Sequence, residues 1–233
     1  MKKTLILLPI LFLLALTGCN SGGGSGDNSG DDSTSQSSGG GNLPYDKEQA
    51  SNKLRDLGEE QGIQIEYHAF DEDTEDVIDY TFGMKDEFSW YYSDEDQVVL
   101  KLDASNTLYE YRNTGEDGAY ELAYSLPDSA DTYDQLIDGY TMMFFLANNY
   151  FDGYTKVRDL TFVGRSASEY HYSVSYAGVA SLSMTAIIDK DTGITLYWDA
   201  TGDNYVDGEH GGATFEVTSF KVGSQVALPP IEE

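Results

Sequence analysis

The chain has 233 residues, and 41 acidic side chains against 13 basic ones give it a formal net charge of −28. So acidic a surface repels nucleic acid and anionic lipid headgroups, which excludes a DNA or RNA partner. A single cysteine, Cys19, leaves no pair for a disulfide, so the fold must stand without a covalent staple.

Lys2 and Lys3 open the chain, an apolar run follows from Leu5 to Leu16, and the string Leu16-Thr17-Gly18-Cys19 closes it. A spanning helix requires about 20 apolar residues, whereas this run has 12 and contains Pro9. A basic start, a short apolar region and small residues at the cleavage position make a secretory signal. Its last four residues resemble the lipobox of bacterial lipoproteins. That resemblance implies a signal peptide over residues 1–18, cleavage before Cys19 and a diacylglycerol thioether on its sulfur, with the lipid bilayer as partner. Each buried CH₂ contributes about 0.8 kcal/mol; one myristoyl-length chain holds marginally, and two or three hold for good. Cys19, so lipidated, has no thiol left for metal or nucleophilic chemistry. Asn20 stands where an aspartate would resemble an inner-membrane retention signal, so in a cell with two membranes the outer one is implied. Removing Lys2 and Lys3 with the signal takes the charge from −28 to −30.

Residues 20–43 are almost wholly Gly, Ser, Asp, Asn, Thr and Gln. Nothing there buries apolar area to offset ordering entropy, so the reading is a flexible tether spanning roughly 25–30 Å. With Cys19 it forms a unit over 19–43. Residues 44–233 show neither a second linker nor a repeat, and their length suits a single domain.

Asp46 and Gln49 have capping-box spacing, and Ala50, Leu54 and Leu57 then share a face up to Gly62, which predicts a short amphipathic helix. Alternation follows. Ile63, Ile65 and Tyr67 line one side of a strand, and Ile78, Tyr80, Phe82 and Met84 one side of the next. Runs at 88–92, 98–102, 108–111 and 119–124 continue an antiparallel meander. From Asp131 to Phe151 the period changes: Tyr133, Leu136, Ile137, Tyr140, Phe144 and Ala147 fall at helical spacing after cap-type Ser129 and Asp131. Met142, Met143, Phe145 and Leu146 widen the apolar surface until most sides are greasy, and such a helix must be surrounded. Tyr170, Tyr172, Val174 and Tyr176 return to alternation, as do Leu182, Met184 and Ala186, then Ile194, Leu196 and Trp198, then Phe215 and Val217. Pro229-Pro230 ends the pattern.

This order, with Ile188-Asp189-Lys190-Asp191-Thr192-Gly193-Ile194 and the closing Phe215-Glu216-Val217-Thr218-Ser219-Phe220, resembles the LolA/LolB/LppX/RseB-like lipoprotein superfamily over about residues 46–228. The resemblance implies an α+β fold: a curved antiparallel sheet, or half-open β-barrel, enclosing a central apolar helix, with a short N-terminal helix. In several members a hydrophobic cavity holds acyl chains, so a lipid or acyl ligand is implied here. It carries no residue-level motif.

The 18 tyrosines and 10 phenylalanines fit either reading of the hollow. On a concave face they make apolar walls with hydroxyl rims; in an ordinary sheet tyrosine is a good strand residue with one wet edge. The expected wall is Tyr80, Phe82, Trp90, Tyr109, Tyr140, Met143, Phe144, Tyr170 and Tyr172. His68, His171 and His210 stand apart, with no His-x-x-x-His, Gly-x-Ser-x-Gly, P-loop or Gly-x-Gly-x-x-Gly string, so a non-enzymatic protein without cofactor is expected. The acid runs at 71–76 and 94–96 read as solvated turns. Asp203-Asn204-Tyr205-Val206-Asp207-Gly208-Glu209 fails as an EF-hand, with Tyr205 in the third position and Thr214 in place of the bidentate Glu, which leaves weak Ca²⁺ binding open. The leading function is burial of a hydrophobic ligand. The alternative is an envelope sensor, adhesin or accessory module that binds a protein or glycan through its acidic surface.

Overall fold

The computed structural model describes residues 43–71, 76–94, 96–113, 119–150, 153–176, 180–204 and 209–231. The signal segment, Cys19, the tether up to residue 42, residues 72–75 of the first acid run, Glu95 of the second, Phe151 and residues 205–208 of the calcium-like run lie outside them. Helix α1 (Lys47–Gln61) begins on the capping box, with the Gln49 amide donating to Asp46 Oδ1 at 2.8 Å and the Asp46 amide donating to Gln49 Oε1 at 3.2 Å. It ends at Gly62, whose φ of 82° lies in the left-handed region.

Strands β1 (Ile63–Asp71), β2 (Asp76–Lys85), β3 (Phe88–Tyr92), β4 (Gln97–Leu102), β5 (Leu108–Asn113) and β6 (Tyr120–Leu126) form one antiparallel meander. Strands β7 (Thr155–Phe162), β8 (Arg165–Tyr176), β9 (Ala180–Asp189), β10 (Thr195–Asn204) and β11 (Glu209–Val222) form a second. Pairing of β1 with β11 joins the two into a curved, unclosed 11-stranded sheet in the order β6-β5-β4-β3-β2-β1-β11-β10-β9-β8-β7. The edges, β6 and β7, are therefore consecutive in sequence. The segment between them must cross the sheet, and it is the apolar one: α2 (Ala130–Thr141), a 3₁₀ turn (Met142–Phe145) and α3 (Leu146–Tyr150). It packs on β4 and β5 at one end and on β10 at the other.

The expected single helix over 131–151 is thus interrupted. The Thr141 hydroxyl donates to the Ile137 carbonyl at 2.8 Å, a back-bond that often bends a helix, and the tighter turn follows at once. Phe144 and Phe145 on that turn are both fully buried. Ser129 precedes the helix as expected but does not cap it; its hydroxyl donates to the Pro127 carbonyl at 3.0 Å.

Register decides which side chains face the crossing segment. Ile63, Ile65 and Tyr67 pair with Met84, Phe82 and Tyr80, and Trp198 pairs with both Phe215 and Ala186. These line the inner, concave face and one continuous core with Phe144 and Phe145. Between Phe82 and Met84, Gly83 points outward and pairs with Trp90. Trp90 then opposes Val99, and Val99 opposes Tyr111, so a second cluster of Trp90, Val99, Tyr111, Tyr120 and Val226 forms on the outer face. The C-terminal segment covers it, with Lys85 Nζ donating to the Val226 carbonyl at 2.7 Å and the Tyr120 amide to the Pro230 carbonyl at 3.0 Å.

The Asp189–Gly193 string is a turn at the end of the sheet where the chain enters. Asp189 is fully buried and accepts from Arg165 Nε (3.0 Å) and Nη2 (2.9 Å) and from the Thr192 amide (2.9 Å) and hydroxyl (2.7 Å). Tyr45 packs on Gly193 (φ 78°), where a Cβ would lie 2.4 Å from the Tyr45 ring, and its carbonyl accepts from Asn148 Nδ2 at 2.9 Å. Strand β7 carries no clear alternation: Val157, Leu160 and Phe162 are separated by Lys156, Arg158 and Asp159, and most of this edge strand is exposed.

Gly83 gives a sharp test of the outer register. A Cβ there would sit 2.0 Å from Cε2 of the Trp90 indole, a rigid group that cannot yield cheaply. Gly83→Ala is expected to lose about 1–3 kcal/mol in urea unfolding, as overpacked sites do; an unchanged midpoint would contradict the Trp90 placement.

Candidate functional site

Seven of the nine expected wall residues lie on the concave side: Tyr80, Phe82, Tyr140, Met143, Phe144, Tyr170 and Tyr172. Trp90 and Tyr109 do not. Both belong to the outer cluster, because the hairpin pairs Lys85 with Phe88 and so sets Trp90 opposite outward-facing Gly83. Tyr109 pairs with Lys101 on that same outer face, and its hydroxyl reaches Asp103 at 3.2 Å.

The inner face has two aromatic zones flanking Phe144. Cross-strand pairing builds the first from Phe215 through Tyr67, Tyr80 and Tyr91 to Tyr140 on α2. Tyr67 stacks on Tyr80 at 5.1 Å and 19°, and Tyr91 stacks on Tyr140 at 4.5 Å and 10°. Phe144 meets Tyr67 edge-on at 5.1 Å and Phe82 at 5.9 Å. In the second zone Tyr154 lies 5.5 Å from Tyr172 and 6.4 Å from Tyr170, and its hydroxyl points at Met184 Sδ, 3.3 Å away. The Trp198 indole N–H donates to the same sulfur. Neither Tyr91 nor Tyr154 was among the expected residues. Tyr91 is legible once Phe82 is known to pair with it; Tyr154 follows the helix outside any periodic run.

The crossing segment covers this face unevenly. Phe82, Phe144, Phe145 and Leu182 are buried, whereas Tyr80, Tyr140, Met143, Tyr172 and Val174 are only half-buried against the same core. A polar group borders them at the β4–β6 side. Glu110, 5% exposed, accepts from Arg112 Nε at 2.6 Å and from the Tyr124 hydroxyl, and Arg112 also pairs with Asp96. Burial opposes the Arg112 charge, but the bond and field of Glu110, helped by Asp96, raise its pKa overall. Each of the three histidines faces a carboxylate: His171 with Glu169 at 2.9 Å, His210 with Asp203 at 2.8 Å and His68 with Glu216 at 3.6 Å.

No protein-family model matches the sequence, and no curated protein matches it. Among solved structures the chain is similar to MucB, at 16% identity over 79% of this chain and 61% of that one, with a TM-score of 0.36. It is also similar to the Mycobacterium tuberculosis lipoprotein LppX, at 10% identity over 77% and 94% of the two chains and a TM-score of 0.32. A LolA superfamily protein from Nitrosomonas europaea aligns at 9% identity over 79% and 96%, with a TM-score of 0.23. The chain spans about three fifths of the MucB structure's length.

The tyrosine-lined face makes the alkaline limit of stability predictable. Its bond to Glu110, and then burial, push Tyr124 from 10.0 up to about 12, and burial first of all raises Tyr67, Tyr91 and Tyr140. A folded pKa above the unfolded one means that the neutral form is favoured by folding. That stability is complete below about pH 10 and is lost as pH rises through the folded values. Melting temperature is expected to hold up to about pH 10 and fall beyond it, with part of the tyrosinate absorbance appearing only on unfolding. Titration of all 18 tyrosines together near pH 10.0 in folded protein would contradict this.

Proposed function

We propose that this protein is a lipid-anchored extracytoplasmic domain, without enzymatic activity, that buries a hydrophobic ligand against its concave face. The ligand class is a lipid or acyl group. Anchoring is through acylated Cys19, and the tether allows the domain to stand clear of the headgroups.

The observation that carries this reading is the half-buried set Tyr80, Tyr140, Met143, Tyr172 and Val174, which packs against the buried core at the margins of the crossing segment. Aromatic and thioether side chains adapt to an acyl chain without needing polar partners. Covering about 300 Å² of such a chain at ~25 cal/mol per Å² is worth about 7 kcal/mol before binding costs. In this reading the anchored end lies toward the α1 and Asp189 side of the sheet, where Tyr45 packs on Gly193.

The test is titration of delipidated protein with a fluorescent fatty acid, together with mass spectrometry of lipid acquired from membrane extract. Saturable binding is expected. Met143→Glu should weaken it by about tenfold or more, since a carboxylate must be desolvated at the contact. Raising salt should leave the affinity unchanged or tighter, because apolar burial is not screened. Clean spectra with no fatty-acid binding would reject the reading. Recognition of a cationic protein or glycan by the acidic surface, the other reading of the sequence, would instead weaken sharply with salt.

A further inference from the structure

The two edges of the sheet are built differently. On β7 Lys156, Arg158 and Asp159 interrupt the strand, a register shift falls between Lys156 and Arg158, and ion pairs to Asp159 and Glu169 hold the charges in place. Such charges and irregularities are the ordinary protection of an edge against another strand. β6 has one charge, Glu121, and no basic side chain. All six of its residues after Tyr120 are exposed, and they include Leu122 at 53%, Tyr124 at 42% and Leu126 at 41%. β6 has a register shift too, opposite Glu110 and Tyr111, but with one charge and apolar side chains exposed on both faces it is the less protected edge. Among the described residues β6 is the last strand on its side, and the one main-chain partner on its outer edge is at its first residue, where Tyr120 forms a parallel bridge with Ile231.

We propose that the outer edge of β6 is a docking site for an extended basic segment of another protein that carries apolar side chains and is added as a further strand. Three observations choose this occupant. The bridge from the C-terminal segment shows that the edge accepts a main-chain partner. Tyr124 and Leu126, opposite Glu110 and Leu108, supply apolar contacts on the inner side of the rim, and Leu122, opposite Tyr111 across a register shift, supplies one on the outer side. A formal charge of −28, with Glu121 on the strand and Asp128 just past it, attracts a basic segment and repels a second copy of the chain. The site is on the rim of the sheet, and its Tyr124 also bonds Glu110 at the border of the concave face.

The test is fluorescence anisotropy with a panel of labelled peptides of about eight residues that alternate valine with lysine or threonine. The same peptides N-methylated at alternate amides keep charge and side chains but cannot pair as strands. Saturable binding is expected, weakened about tenfold or more by N-methylation and by Leu122→Lys, and unchanged by Val157→Lys on β7. Four outcomes would overturn the proposal: no peptide binds; the N-methylated peptides bind equally well; Val157→Lys weakens binding as much as Leu122→Lys does; or light scattering finds a dimer that Leu122→Lys abolishes, which would give the edge to a second copy.

Discussion

The packing of Phe144 against Tyr67, Phe82 and Phe215 is the contact on which the architecture depends. Those three rings come from β1, β2 and β11, the strands at and beside the junction of the two meanders, and Phe144 sits 5.1, 5.9 and 6.0 Å from them. Each meander by itself is a sequence-local unit with an apolar inner face, and the first also has the outer cluster of Trp90, Val99, Tyr111 and Tyr120. What makes a single domain of them is the β1–β11 ladder on one side and the crossing segment laid over it. The second half of the crossing segment, after the exposed polar face of α2, has no amphipathic option. With Phe144, Phe145, Leu146 and Ala147 all buried, exposure to water would forfeit several kcal/mol of apolar burial, so it lies within the bend of the sheet.

The same arrangement gives the concave face its mixed character. A helix of ordinary width, bent at a 3₁₀ turn, cannot cover eleven strands evenly. It seals the centre and leaves apolar and phenolic groups half-buried at both flanks. One flank is bordered by the buried Glu110 with its Arg112 and Tyr124 partners, which keeps a carboxylate satisfied beside the aromatic ladder. On the outer side, Trp90 and its neighbours are kept from water by the C-terminal segment. The sheet therefore has two apolar faces, each with its own cover, and the edges are left to be handled by sequence.

Much of this was legible in the sequence because it rests on local rules. The capping box of α1, the inward run Ile78–Tyr80–Phe82–Met84 and the helical spacing through Phe144 each follow from a period or a cap. The misplacement of Trp90 and Tyr109 has a different origin. Strand alternation tells which residues share a face within a strand, and only pairing tells which faces of two strands coincide. The Lys85–Phe88 hairpin fixes that parity, and Gly83 is its mark, since the backbone gives way there for the indole. β7 escaped for a third reason: an exposed edge needs charges in place of an apolar side, so its alternation is broken by the residues that protect it. Tyr154, outside any period, joins the site through tertiary packing alone.

The measurement that bears most directly on the nesting of the crossing segment is the unfolding free energy of Phe144→Ala. With the ring enclosed by Tyr67, Phe82 and Phe215, truncation is expected to cost about 3–5 kcal/mol, as for other fully buried phenylalanines. A loss under about 1 kcal/mol, the scale of a surface substitution, would mean that the segment packs outside the sheet and would contradict the account.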